Sequence, residues 1–201
     1  DHNIYNIAVK GTFDDCQYLV KEMFNDKNFR DSIQMSGVNS INWARIVAQI
    51  VYYFFIYLQQ EHPEKQMVVS VPTGNFGDVY AGYIAKQMGL PIEKLMIASN
   101  HNNLLEKCLQ TGLYKPSTVN PSISPSMDIQ VASNFERIVF DICGQSDSRV
   151  VSLMNDLKEK KEFQLSNEEL KKLQENFVAL SITEDETLQT IKEVYASTKF
   201  V

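Results

Sequence analysis

Cysteine and histidine are scarce in this chain, three of each among 201 residues, and neither type clusters. Cys16, Cys108 and Cys143 are odd in number, far apart and without a C-x-x-C partner, which argues against a disulfide framework and against a zinc site. A reducing, cytoplasmic setting fits that pattern. His2, His62 and His101 show no metal spacing either, and His62, beside Pro63 in a charged turn, is expected to face solvent. Positive charge is also in short supply: 19 Lys and Arg stand against 25 Asp and Glu, a net charge of −6. With no basic stripe above that acidic background, a general nucleic-acid or anionic-membrane surface is excluded. There is no internal repeat. The start, Asp1-His2-Asn3-Ile4-Tyr5, has neither the basic region nor the apolar core of a signal peptide, and it reads as a beginning in mid-domain. Lys199-Phe200-Val201 ends on an apolar step, as a cut chain would.

Long apolar runs are absent but for one, Ile41 to Leu58, long enough to raise the question of a membrane span. Asn42, Arg45 and Gln49 answer it. They fall at i, i+3 and i+7, so they form one polar stripe on a helix otherwise apolar nearly all round, and an arginine near the middle of a lipid-facing span is costly. A core helix with one polar face is expected instead.

What the chain does have is the stretch Val68-Val69-Ser70-Val71-Pro72-Thr73-Gly74-Asn75-Phe76-Gly77-Asp78, running into Val79-Tyr80-Ala81-Gly82 and on to Gly89. A β-branched run reads as a buried strand, the glycines permit a tight turn, and a helix opens directly behind. The first helical turn has N–H groups without partners and the positive end of the macrodipole, so such a turn can hold a phosphate. Neither G-x-x-x-x-G-K-[ST] nor G-x-G-x-x-G is present, which removes the Walker and dinucleotide readings. An ordinary strand-to-helix turn remains the alternative.

Along the rest of the chain, Tyr5 to Val9 is short, apolar and β-leaning, and Thr12 with Asp15 reads as a capping box. The glycine-loop helix is expected to stop at Gly89, before Pro91. Leu95 to Ala98 reads as the next strand and Leu104 to about Gln110 as its helix. This alternation predicts an α/β fold, a three-layer parallel sheet with right-handed crossovers and helices on both faces. Ligands in such sheets sit beyond the carboxyl ends of the strands, where the glycine loop and Ser99-Asn100-His101 emerge. Tyr114 to Asp128 is a long irregular connection rich in Pro and Ser. A mainly helical segment follows, with capping boxes read at Ser133–Glu136, Ser166–Glu169 and Thr183–Glu186, and with Leu170, Leu173 and Phe177 as one helical stripe. Residues 1–130 are expected to form a partial α/β phosphate-binding domain, and residues 131–201 its helical extension.

Four motifs, in order, carry a family resemblance: Gly11-Thr12-Phe13-Asp14-Asp15-Cys16-Gln17, Asn39-Ser40-Ile41-Asn42-Trp43-Ala44-Arg45, Val71 to Gly82, and Ser126-Met127-Asp128-Ile129-Gln130 with Ser133-Asn134-Phe135-Glu136-Arg137. They resemble threonine synthase in its longer bacterial and fungal form, densely to about Asp141 and more loosely beyond. The resemblance implies a fold type II pyridoxal-phosphate enzyme, a lyase that turns O-phosphohomoserine and water into L-threonine and phosphate. It also implies that Gly74, Asn75, Phe76, Gly77 and Asp78 cradle the phosphate of pyridoxal 5'-phosphate. The family's His-Gly-Pro-Thr…Ala-Phe-Lys-Asp motif, whose lysine binds the cofactor covalently, is missing here, as is the later Asp-Pro-His-Thr-Ala stretch. The chain therefore corresponds to the middle of the family's sequence and is expected to be inactive alone.

Two further assignments follow. Arg45 could offer a bidentate fork to the substrate phosphate, with Asn42 beside it, or it could be a paired structural charge. Asp78 poses a problem, because a carboxylate beside a phosphate repels it; the expectation is that it caps an N–H of the following turn and points away. A stand-alone phosphate- or nucleotide-phosphate-binding α/β module is the competing function, and an oligomer formed through surfaces exposed by truncation is compatible with either.

Overall fold

A computed structural model describes residues 2–37, 41–62 and 64–200. Of the residues singled out above, Asp1, Asn39, Ser40, Pro63 and Val201 lie outside that set. The chain divides into two compact units, Asp1–Gly37 and Val38–Val201.

The first unit holds α1 (Phe13–Asn25) and α2 (Lys27–Ser32). The capping box forms as read: the Thr12 N–H donates to Asp15 Oδ2 at 2.6 Å, and the Asp15 N–H donates to Thr12 Oγ1 at 3.3 Å. Asp26 then caps α2 through the Phe29 N–H. Tyr5 to Val9 forms no strand and is exposed throughout. Apolar β-branched residues need a neighbouring strand to extend against, and this segment pairs with none among the described residues.

The second unit runs α3 (Trp43–Leu58), β1 (Met67–Pro72), α4 (Gly77–Gln87), β2 (Ile92–Ser99), α5 (Leu104–Thr111), β3 (Leu113–Tyr114), a 3₁₀ turn at Pro125–Met127, α6 (Phe135–Ile142), α7 (Asp147–Lys160), β4 (Phe163–Gln164), α8 (Asn167–Asn176), β5 (Phe177–Ser181) and α9 (Glu184–Thr198). Strands β1, β2 and β5 form a parallel sheet in that order, flanked by helices, as expected for an α/β chain. Register sets Val71 beside Ile97 and Leu95 beside Phe177. All four are buried, each contributing roughly 1.5–3 kcal/mol by removal from water. On the alternate positions Val68 and Leu180 are about half exposed, at 54% and 52%, so the two sheet faces are not equally covered.

Helix α3 begins at Trp43, with Asn42 as its N-cap, rather than at Ile41. It buries Ile46, Ile50 and Tyr53 but leaves Val51, Tyr52 and Phe55 exposed. It is therefore a half-buried helix with an apolar outer face, not a core helix with a single polar stripe. No described helix is long and apolar enough to cross a membrane.

The segment after residue 130 is mainly helical but contributes strands as well. Phe177 closes no helical stripe: α8 stops at Asn176 and Phe177 opens β5. Lys94 of β2 fixes that switch, since its ammonium donates to the last carbonyls of α8, Gln174 O at 2.6 Å and Glu175 O at 2.9 Å. At the other end of α8 the Ser166–Glu169 capping box forms, and Glu169 also meets Arg149 of α7 through two bonds, 2.8 and 2.9 Å. The Cys143 thiol donates to the same carboxylate at 3.3 Å. Hydrogen bonds from Arg149 outweigh desolvation and hold the Glu169 carboxyl down at about 2. The Thr183–Glu186 box forms too. The one expected at Ser133 does not: α6 starts at Phe135 behind Asn134, and the Ser133 hydroxyl is buried without a partner.

Candidate functional site

The glycine loop leaves β1 where the ladder ends. The Thr73 N–H donates to Ala98 O at 2.8 Å, and its hydroxyl donates to Val71 O at 2.7 Å. Both donors of this buried residue are thus spent inside the sheet edge, and the chain turns sharply at Gly74. A Cβ on Gly74 would lie 2.7 Å from Ile129 Cδ1 and 3.2 Å from the Ser126 carbonyl oxygen, so only glycine lets the 126–129 segment lie this close.

Asn75 is tied from the far side, its carbonyl accepting the Asn134 N–H at 3.0 Å. Phe76 then adopts the left-handed conformation, φ 65° and ψ 5°, which costs about 1 kcal/mol or more for a non-glycine residue. Its ring offsets that cost. It is 1% exposed, edge-on to Phe135 at 5.1 Å and 5.4 Å from Phe177. Because Phe76 is also the N-cap of α4, no side-chain oxygen at that position caps the helix. Its first-turn N–H groups are left for another acceptor.

A cleft of about 240 Å³ lies at this helix start, lined by the loop from Pro72 to Val79, by Ser126 and Met127, and by Gln49 of α3. The Ser126 wall is held by Asp128, a residue in the recognised motif to which the sequence reading gave no role. Its carboxylate accepts the Ser122 N–H (2.8 Å), the Ser122 hydroxyl (2.6 Å), Asn100 Nδ2 (2.8 Å) and Asn102 Nδ2 (3.1 Å). Burial opposes the charge, but these hydrogen bonds prevail and hold the carboxyl below its ordinary range. Asn100 and His101 therefore fasten the 115–130 connection, His101 through Asn120 O at 3.0 Å. Pro72, Thr73, Val79, Ser126, Met127 and Gln49 complete the lining; of these only Gln49 lay on the polar stripe read in the sequence.

Asp78 does not cap the following turn. Its Oδ1 lies 3.2 Å from the Tyr53 hydroxyl of α3, which also donates to the Asp78 carbonyl at 2.8 Å. Burial raises its pKa, and the Tyr53 bond opposes the rise. Arg45 is exposed one turn before Gln49 on α3, and Asn42 is exposed at the helix start, its Oδ1 accepting the Ala44 N–H at 3.0 Å. Neither is among the residues lining the cleft.

No family model matches the chain. Its sequence is 45% identical to the threonine synthase of Pseudomonas aeruginosa over 195 residues, 97% of this chain and 42% of that protein. Its fold superposes on the crystal structure of a PLP-bound threonine synthase from Brucella melitensis with a TM-score of 0.90 and 47% identity, covering 99% of this chain and 43% of that one. Nearly all of this chain is threonine-synthase-like. The crystal structure of the yeast threonine synthase agrees, with a TM-score of 0.82 and 41% identity over 98% of this chain and 41% of that one. The chain thus spans about two-fifths of the length of the threonine synthases it matches. The glycine loop, the wall at Ser126 and the end of the sheet all fall within the matched region.

Proposed function

We propose that this chain forms the cofactor-phosphate site of a threonine synthase, a cytoplasmic lyase that converts O-phosphohomoserine and water into L-threonine and inorganic phosphate. The observation that carries the proposal is the uncapped start of α4 opening into a cleft beside Gly74, where a Cβ would fill the space against Ile129 and Ser126. A phosphate fits such a place, because backbone N–H groups and the helix dipole act together on an anion. Similarity to a PLP-bound threonine synthase supports reading the phosphate as that of pyridoxal 5'-phosphate. Gly74, Asn75, Phe76, Gly77 and Asp78 would hold it through the main chain of the loop and the first turn of α4, with no part taken by the Asp78 carboxylate.

When bound, the cofactor supplies an electron sink for carbanion chemistry. The work of this chain is positional. Phe76, clamped by Phe135 and Phe177, fixes the direction of the loop, and the Asp128 network holds Ser126 and Met127 as the opposite wall. Arg45 and Asn42 are assigned to the phosphate of the substrate: Arg45 stands one turn before Gln49 on α3, Asn42 caps the start of that helix, and Gln49 reaches the cleft. A guanidinium there offers the geometry for a phosphate.

Calorimetric titration with pyridoxine 5'-phosphate, which has no aldehyde to react with surface lysines, tests the reading. Binding of pyridoxine 5'-phosphate but not pyridoxine, weakened at least tenfold by Gly74→Ala, is the expected result. Equal affinity for both compounds would refute a phosphate site.

A further inference from the structure

The one charged side chain among the described residues lining the cleft is an acid, Asp78. A carboxylate beside a bound phosphate costs affinity unless something restrains it. The restraint comes from α3 by way of a glycine. At Gly82, one turn along α4 from Asp78, an added Cβ would lie 2.6 Å from Tyr53 Cε1 and 2.8 Å from Leu95 Cδ2. The absence of that Cβ lets the Tyr53 ring lie against α4, and Tyr53 is 3% exposed. Its hydroxyl thereby reaches the first turn of α4, 2.8 Å from the Asp78 carbonyl and 3.2 Å from Oδ1.

We infer that Tyr53 is a positioning residue, whose hydroxyl holds the Asp78 carboxylate on the α3 side of the cleft and off the place where the α4 N–H groups receive a phosphate. The inference rests on the phosphate reading above and adds to it a residue 25 positions away that is not among the described residues lining the cleft. It also accounts for an acid in an anion site: Asp78 is tolerated because its charge is fixed in direction.

Four proteins decide the matter: the wild-type chain, Tyr53→Phe, Asp78→Asn and the double variant, each titrated with pyridoxine 5'-phosphate and with pyridoxine and checked for folding by circular dichroism. Tyr53→Phe keeps the ring in its place against Gly82 and deletes only the hydroxyl. Its dissociation constant for pyridoxine 5'-phosphate is expected to rise roughly three- to tenfold, the size of a unit-charge repulsion across about 3–6 Å at the dielectric of water, with no change for pyridoxine. Asp78→Asn should bind as well as wild type or better, and the double variant should return to the Asp78→Asn value. A purely structural role for Tyr53 predicts the same loss in both backgrounds, and that result would overturn the inference. So would an unchanged Tyr53→Phe. If Tyr53→Phe does not fold, Asp78→Asn alone still decides: weaker phosphate binding there means that the carboxylate helps rather than threatens the anion. Absence of binding by the wild-type chain would remove the phosphate reading itself, a different outcome from any of these.

Discussion

Replacing Glu169 by glutamine should cost this chain about 3 kcal/mol at neutral pH and almost nothing near pH 2. Glu169 closes the capping box of α8 through the Ser166 N–H at 2.7 Å, takes two bonds from Arg149 and accepts the Cys143 thiol. Its side chain is only 12% exposed, so water screens these interactions poorly. The carboxyl is lowered from an ordinary 4.5 to about 2, and at about 1.4 kcal/mol per pKa unit the shift corresponds to about 3 kcal/mol. The sign follows from the direction: a depressed acid stabilises the fold fully above its unfolded value near 4.5 and loses that contribution as pH falls toward 2. Arg149, 36% exposed, is partly rehydrated when its partner is lost, so the cost is that of the Glu169 carboxylate rather than of a stranded buried cation. Urea unfolding of wild type and Glu169→Gln, followed by far-ultraviolet circular dichroism from pH 7 to pH 2, measures the difference directly. A difference that narrows between pH 5 and pH 2 is predicted. A difference constant across that range would show that the charge of Glu169 contributes nothing, and the reasoning would fail.

Two further perturbations address the elements that frame the cleft. Gly82→Ala should destabilise the chain by about 1–3 kcal/mol through overpacking against Tyr53 and Leu95, read as a lower urea midpoint with unchanged slope; an unaffected midpoint would mean that α3 and α4 do not pack this closely. Asp128→Ala should remove the acceptor of the Ser122 N–H and hydroxyl and one of the two acceptors of each of the Asn100 and Asn102 amides, lowering the local opening free energy of residues 115–130 by about 1–3 kcal/mol, with amide hydrogen exchange there roughly 10- to 100-fold faster and exchange in β1 unchanged. Equal exchange in the connection would contradict its anchoring by Asp128.

Much of this architecture was legible because its signals are local. The capping boxes at Thr12, Ser166 and Thr183 each need only two side chains three residues apart, and all three form. The strand, glycine loop and helix from Val68 onward are likewise written in one continuous stretch. What escaped depends on partners far along the chain. Phe177 continues the spacing of Leu170 and Leu173, yet it leaves the helix because β2, about 80 residues earlier, offers a strand edge and Lys94 caps the helix end. Ser133 matches a capping signature, but the neighbouring Asn134 N–H is committed to Asn75 and the helix starts one residue later than the box requires. The far wall of the cleft was legible only as a motif without a role, since Ser126 meets Gly74 across some fifty residues of chain. Asp78 was expected to cap the turn behind it, but its Oδ1 accepts instead from the Tyr53 hydroxyl of another helix, a partner that local spacing does not reveal.

The central claim, that the loop from Gly74 to Asp78 receives a phosphate, is tested most directly by amide chemical shifts of the isotope-labelled chain during titration with pyridoxine 5'-phosphate. Saturable shifts concentrated at Gly74, Asn75, Gly77, Asp78 and Val79, absent with pyridoxine, are the predicted result. Shifts that scatter over surface lysines while these five amides stay still would contradict it.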